Sequence, residues 1–266
     1  VKGAAALADR VRRPPEGIVV AIYHRVGGGT TSEVDLPADR FDAQLAWLVE
    51  RGRPVALAAA LDALATGAPL PPTADGGPHV VITFDDGTED FARVATPLLH
   101  RHGVPATLYL ATAFVDEGRP FPGAATPLTW AALADACSSG VVTVGSHTHE
   151  HKLLDRLPAP EVAAELDRSI ELIGEHLGTA PLDFAYPKAV LGSPAARAEV
   201  AARFRSAAVA GTRPNPPGTD VQRLHRSPIQ VGDAMAHFQR KVDGGLALED
   251  DLRQVLNRRR YTSATT

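Results

Sequence analysis

Residues 79–91 read HVVITFDDGTEDF, and the fold turns on this stretch. A run rich in β-branched and aromatic residues, His79 to Phe84, stops abruptly at Asp85-Asp86-Gly87. Such a run reads as a buried strand. A buried strand that ends on two carboxylates must engage them, because a charge away from water is costly unless it is paired or metal-bound. Successive strand side chains point to opposite faces, so Asp85 and Asp86 cannot meet one partner in the same way. That geometry suits a division of labour, in which one carboxylate holds a cation and the other handles a proton. A polar Asp-Gly turn is the competing reading, and the rest of the chain decides between the two.

Upstream, Ile18 to Tyr23 is a first strand that ends on His24-Arg25, followed by Gly27-Gly28-Gly29. Phe41, Leu45, Leu48 and Val49 recur at helical spacing, with Pro37 before them and Gly52 just past the end. A second Ala/Leu helix runs from about Ala56 to Thr66 and stops at Gly67, and residues 68–78 form a Pro/Gly-rich surface connection. Downstream, Phe91, Val94, Ala95, Leu98 and Leu99 mark a helix that Pro97 is expected to kink. Pro105 to Leu110 is the third strand, a Gly/Pro-rich loop follows, and Thr129 is the N-cap of a helix from Trp130 to about Ser138.

Val141 to Val144 is the fourth strand and runs straight into Gly145-Ser146-His147-Thr148-His149-Glu150-His151. A long helix carries Val162, Leu166, Ile170, Ile173 and Leu177 on one face and ends at Gly178. Leu182 to Ala185 is a short strand ending at Tyr186-Pro187, Ser193-Pro194 opens a helix to about Phe204, and Ser206 to Ala210 is a sixth strand. A seventh falls near Leu224 to Val231, and the amphipathic stretch from about Leu248 to Arg260 reads as a helix packed outside. Strands alternating with helices argue for an α/β fold with a mainly parallel sheet covered by helices. His24, Asp85-Asp86, His147 to His151 and Tyr186-Pro187 each follow the C-terminal end of a strand, the face on which α/β barrels build their active sites.

Composition narrows the function. The 266 residues are 44% hydrophobic and 22% charged with a formal net charge of −4, so no basic excess points to nucleic acid. Arg258-Arg259-Arg260 reads as a solvated helix end, where cations suit the dipole. The one cysteine, Cys137, rules out an intrachain disulfide and a Cys-type zinc site. No run reaches the length of a transmembrane segment. Residues 1–17 lack the basic-then-apolar order of a signal peptide, a weak pointer to the cytoplasm that leaves the compartment open.

His147 and His151 are four residues apart, and on a helical turn they would share a face and grip one cation. A carboxylate from elsewhere would complete a three-ligand site with open positions, the pattern of catalytic zinc. Three of the ten histidines within five residues, directly after a buried strand, argue against a chance polar loop. The same residues match H-x-x-E-H, the inverzincin metalloprotease pattern, which needs a helix through the motif and a later glutamate ligand.

The sequence resembles the polysaccharide deacetylases, the NodB-homology group of carbohydrate esterase family 4. Thr83-Phe84-Asp85-Asp86-Gly87 matches the family's T-F-D-D-G motif, and His147 to His151 matches its H-[ST]-x-x-H motif. Tyr23 to Val26, Phe41 to Gly52, Pro105 to Thr107 and Leu128 to Trp130 look like the branch containing poly-N-acetylglucosamine deacetylases, over roughly residues 18–232. The resemblance implies a distorted (β/α)7-type barrel as a single domain over residues 18–245, flanked by an N-terminal extension (1–17) and a C-terminal helix and tail (246–266). It also implies a divalent metal held by Asp86, His147 and His151, with Asp85 as general base. Zinc fits this ligand set, and other first-row metals would bind it too. The implied activity is removal of N-acetyl groups from an N-acetylated carbohydrate, a polysaccharide or a smaller glycoconjugate.

The match breaks at the third motif. Where many members carry R-x-P-Y-G, this chain has Ala185-Tyr186-Pro187-Lys188-Ala189. The arginine that would orient the base is missing, Arg226 and Arg205 are its candidate replacements, and Ala189 takes a positive φ less readily than glycine. Tyr186, Pro187 and Lys188 remain the expected oxyanion and substrate loop. His225, in Arg223-Leu224-His225-Arg226, is the expected general acid, with His24 as its rival. Trp130 and Tyr186 are candidates for stacking on a sugar, against the commoner role of core packing. The departures leave a catalytically impaired sugar-binding relative as a further alternative.

Overall fold

The computed structural model describes residues 16–246, so the expected C-terminal helix, Arg258 to Arg260 and most of the N-terminal extension lie outside the described residues. Seven parallel strands close into a barrel. In chain order they are β1 (Val19–Tyr23), β4 (Val80–Asp86), β5 (Ala106–Leu110), β6 (Val142–Ser146), β7 (Asp183–Ala185), β8 (Ser206–Ala210) and β9 (Leu224–Pro228). Each pairs with the next, and β9 closes on β1 with Val20 opposite Arg226. Two short strands, β2 (Arg25–Val26) and β3 (Asp35–Leu36), pair with each other in a separate sheet. At two residues each they are too short to leave a periodic signal.

The two-residue period of the strands sorts the side chains. Val19, Ala21 and Tyr23 face outward with Val80, Ile82 and Phe84, against Phe41 and Leu45 of helix α1 (Ala38–Glu50). Tyr23, Phe41, Phe84 and Phe91 form a contiguous aromatic group with centroids 5.0–5.7 Å apart. Losing one such buried ring generally costs about 3–5 kcal/mol, so this group locks the outward face of β1 and β4. The alternate set, Val20, Val81, Tyr109, Ala185, Ala208 and Leu224, packs inside the barrel with Leu57, Leu61 and Leu64 of α2 (Leu57–Thr66). The interior is tight at β6, where a Cβ on Gly145 would meet the Tyr109 ring at 2.6 Å and the Asp183 carbonyl at 2.7 Å.

The helix after Gly87 differs from expectation. Phe91–Ala95 form a π turn, with the Thr96 N–H donating to the Phe91 carbonyl. The chain stays helical from the π turn into α3 (Thr96–His102), with Ala95 at φ −68° and ψ −46°, and Pro97 follows directly on the π turn. α4 (Thr112–Asp116) and, after β9, a helix over Met235–Val242 were not anticipated. α5 (Trp130–Ser138) and α6 (Ala159–Leu177) follow the reading closely. Thr129 Oγ1 accepts from the Ala132 N–H, and Gly178 caps α6 in the left-handed region at φ 73°. α7 (Pro194–Arg203) is capped by Ser193, whose hydroxyl accepts from the Ala196 N–H. Cys137 is half-buried, and burial pushes its thiol up, which leaves it inert at neutral pH. Among the described residues no helix is long and apolar enough to cross a membrane.

Candidate metal centre and its carboxylate pair

β4 carries the site because it stays in register with β5 to its last residue, Asp86 opposite Leu110. Asp85 follows Thr83 on the inward face and is 2% exposed. There it meets Arg226 of β9, with Nη1 donating to Oδ1 at 2.6 Å and Nη2 to Oδ2 at 2.8 Å. The guanidinium is fully buried, lies over the Tyr109 ring and also reaches Thr83 Oγ1. Arg205 is spent elsewhere, on Asp183. The choice between the two arginines therefore falls to Arg226.

Burial pushes the Asp85 carboxyl up, but the charges of Arg226 and His147 and the Arg226 hydrogen bonds outweigh it and hold it at about 2. A depressed carboxylate pKa adds stability that is present above the ordinary range near 4 and is lost as pH falls toward 2. Arg226→Met would leave Asp85 buried without its cation. The expected loss at pH 7 is about 3–5 kcal/mol in urea denaturation. The deficit should shrink toward pH 4, because burial alone raises the Asp85 pKa and lets it become neutral. A deficit independent of pH would show that the loss is packing and not charge.

Asp86 leaves the strand at φ 76°, followed by Gly87 at φ 105°. A Cβ on Gly87 would fall 2.4 Å from Leu110 Cδ1, so only glycine allows this reversal. The turn lifts the Asp86 carboxylate to the barrel rim. Its Oδ1 lies 3.8 Å from His147 Nε2 and 3.5 Å from His151 Nε2. His147 Nδ1 is 2.7 Å from the Ala185 carbonyl. A carbonyl only accepts, so Nδ1 donates to it and the ring is oriented with Nε2 facing the cluster. Burial, and then the charge of His147, hold the His151 imidazole down at about 4, so it is neutral at pH 7.

Residues 147–151 are not helical. Thr148 at φ 67° and His151 at φ 57° bend the segment into a loop. The Thr148 N–H donates to Ser146 Oγ, and the Glu150 N–H donates to Glu165. The expectation of a shared helical face is thus corrected: two left-handed residues, and not helical spacing, bring the imidazoles together. The helix that an inverzincin site requires is absent, and Glu150 is paired with Arg119 at 2.7 Å.

One ligand atom each from Asp86, His147 and His151 lies within 4.8 Å of the others. Bonds of about 2.0–2.1 Å to a tetrahedral ion set its ligands about 3.3 Å apart, so the 3.5 and 3.8 Å separations fit a divalent cation with little movement. A second group, Glu117, His149 and Glu150, is also compact. There Arg119 already supplies the positive charge, and His149 Nδ1 is bonded to Thr112 Oγ1.

Several expected site residues go elsewhere. His225 does not join the cluster. Its neighbour Arg226 points inward, so strand parity turns His225 out, with its ring over Gly211. His24 does approach: extending the β1–β4 register one residue past Tyr23–Phe84 sets it beside Asp85, on the inward parity of Ile22. Its charge contributes to the depression of Asp85. The Tyr186 side chain is 1% exposed and packs edge-on against Phe184, which bars it from stacking on a ligand. Trp130 stacks on His176 at 4.2 Å and donates to Asp116. Pro187–Ala189 form a single 3-10 turn at the rim, with Lys188 and Ala189 both left-handed at φ 51° and 55°. The left-handed turn expected of glycine forms without it, at about 1–2 kcal/mol per residue. The signal that selects Arg226 over His225 was present: Leu224 is the core residue of that stretch, so Arg226 shares its face.

The family model described as polysaccharide deacetylase matches residues 73–205. The chain is 25% identical over 176 residues to the putative polysaccharide deacetylase YxkH of Bacillus subtilis strain 168, covering 65% of this chain and 57% of that protein. It is 29% identical over 146 residues to the poly-beta-1,6-N-acetyl-D-glucosamine N-deacetylase of Escherichia coli K12, covering 51% of this chain and 21% of that protein. It therefore spans little more than half of the first relative and about a fifth of the second. Among solved structures, IcaB from Ammonifex degensii matches with a TM-score of 0.72 at 27% identity, over 86% of this chain and 97% of that one.

Proposed function

The chain belongs to the polysaccharide deacetylase family, and on that premise we propose that it is a metal-dependent hydrolase that removes N-acetyl groups from an acetylated amino sugar and releases acetate. The observation that carries this reading is the convergence of Asp86, His147 and His151 at the barrel rim, beside a buried carboxylate held by Arg226. We assign the activity to a unit spanning residues 18–245.

Asp86 and the Nε2 atoms of His147 and His151 would hold the cation, and zinc suits two neutral imidazoles with one carboxylate. A bound divalent cation would supply a water made more acidic toward neutral pH and a polarised amide carbonyl. Asp85, ionised and aimed into the barrel mouth, is the group we assign to accept the proton of the attacking water. Arg226 keeps Asp85 ionised and fixes both of its oxygens. The backbone N–H of Lys188 is the donor we assign to the developing oxyanion. The C–N bond breaks as the nitrogen gains a proton, and His24 is the acid we assign to that step, since it lies on the Asp85 side of the barrel and His225 does not. The products are acetate and a free amino sugar.

The curated relative that acts on poly-beta-1,6-N-acetyl-D-glucosamine makes that polymer the first substrate to test. The zinc-loaded protein is expected to release acetate from it or from chitooligosaccharides. Chelation should abolish release, and added zinc should restore it. Absence of acetate from every acetylated amino sugar tried, with zinc bound stoichiometrically, would overturn the reading.

A further inference from the structure

We propose that Asp90 is a positioning residue, which acts through Arg25 and Val26 to hold His24 over Asp85. The inference rests on the reading of His24 as the acid. The β1–β4 ladder ends at Tyr23–Phe84, so strand pairing does not hold His24. The Arg25 N–H donates within the loop, to the Val34 carbonyl, and the first backbone bond back to the segment that follows β4 is the Val26 N–H donating to Asp90 Oδ2 at 2.7 Å. Arg25 Nε donates to the other oxygen at 3.3 Å. Asp90 is 3% exposed, and a carboxylate buried that deeply is stable only because both oxygens are engaged.

Beyond this anchor the loop bonds mostly to itself, with one further tie where the Val231 N–H, past β9, donates to the Glu33 carbonyl at 2.9 Å. Asp35 accepts from the Gly28 N–H, the Thr30 N–H and the Thr30 hydroxyl at 2.7–2.9 Å, and Arg25 lies close enough to help depress its pKa. β2 and β3 close the loop through the Arg25 and Gly27 N–H groups. Asp90 is thus a bond between a preformed loop and the barrel. It belongs to the same stretch as Asp85 and Asp86, just before the π turn that starts at Phe91, a kind of distortion often found at functional sites. One short segment therefore carries the base, a metal-ligand candidate and the anchor that sets the distance of the histidine. Displacing a reacting group by about 1 Å can cost about 10²-fold in rate.

The test is a double-mutant cycle of Asp90→Ala with His24→Ala, read by acetate release and by zinc titration. Asp90→Ala should lower kcat about 10- to 100-fold, with KM and zinc affinity each within about twofold. In the His24→Ala background it should cost less than about twofold more, because a residue acting through His24 has nothing left to position. Asp90→Asn keeps an acceptor for the Val26 N–H and should recover most of the rate. Losses that multiply in the double variant, or zinc affinity that falls with kcat, would overturn the proposal. If Asp90→Ala does not fold, Arg25→Met enters the same cycle with the same criterion. Full activity in His24→Ala alone would remove the acid assignment and this inference with it, while leaving metal-dependent deacetylation standing.

Discussion

Asp85→Asn is expected to bind zinc as the parent chain does and to release acetate about 10²–10⁴-fold more slowly, the range a positioned general base contributes. The substitution keeps size and shape but removes the charge that accepts the proton. It also points an amide N–H₂ at the Arg226 fork, where two carboxylate oxygens now accept at 2.6 and 2.8 Å. Some loss of stability should therefore accompany the loss of rate, and activity must be compared at a temperature where both proteins are folded. Zinc titration against a chromophoric chelator separates the two candidate roles of this residue, since Asp85 Oδ2 lies only 3.7 Å from His147 Nε2. Lost zinc would make Asp85 a ligand, and retained activity would remove it as the base. Because Asp85 is held at about 2, it stays ionised throughout neutral and mildly acid pH. An acid limb in kcat/KM above pH 4 must therefore come from another group, and should survive in the residual rate of the Asn variant.

Asp86→Ala is expected to abolish stoichiometric zinc binding and, with it, all measurable acetate release. The candidate site has one anionic ligand, and Asp86 provides it. What remains is two imidazoles, His147 with Nδ1 committed to the Ala185 carbonyl and His151 held neutral chiefly by burial. Loss of an outer hydrogen-bond partner typically costs 10–100-fold in metal affinity, and loss of the charged ligand itself should cost more. Asp86 sits half-buried at φ 76° on the rim, and alanine removes no core packing, so the variant should fold. A variant that keeps one tightly bound zinc per chain would move the metal site elsewhere.

The order of elements was legible before any coordinates because each depends on residues close in sequence. Strand and helix periods differ, Gly67 and Gly178 end helices in the left-handed region, and Thr129 and Ser193 cap their helices with hydroxyls. The two compact motifs at strand ends, Asp85-Asp86 and His147 to His151, were legible for the same reason, and the family resemblance singled out Asp86 as the ligand. Tertiary structure alone decided the partners. Asp85 and Arg226 are 141 residues apart, and which side chain of Leu224–Pro228 enters the barrel depends on strand parity and on closure of β9 against β1. That closure brings in Arg226 and turns out His225. The same sheet leaves His24 one residue past the end of the β1–β4 ladder, on the side of Asp85. The loop at Thr148 and His151 replaced the expected helix because its Thr148 and Glu150 N–H groups donate to the Ser146 and Glu165 side chains, and its Thr148 and His149 carbonyls accept from Thr112 and Ala113 across the fold. Sequence carries the local rules of period and cap. Register between distant strands is a property of the closed barrel, and it chose which charges meet.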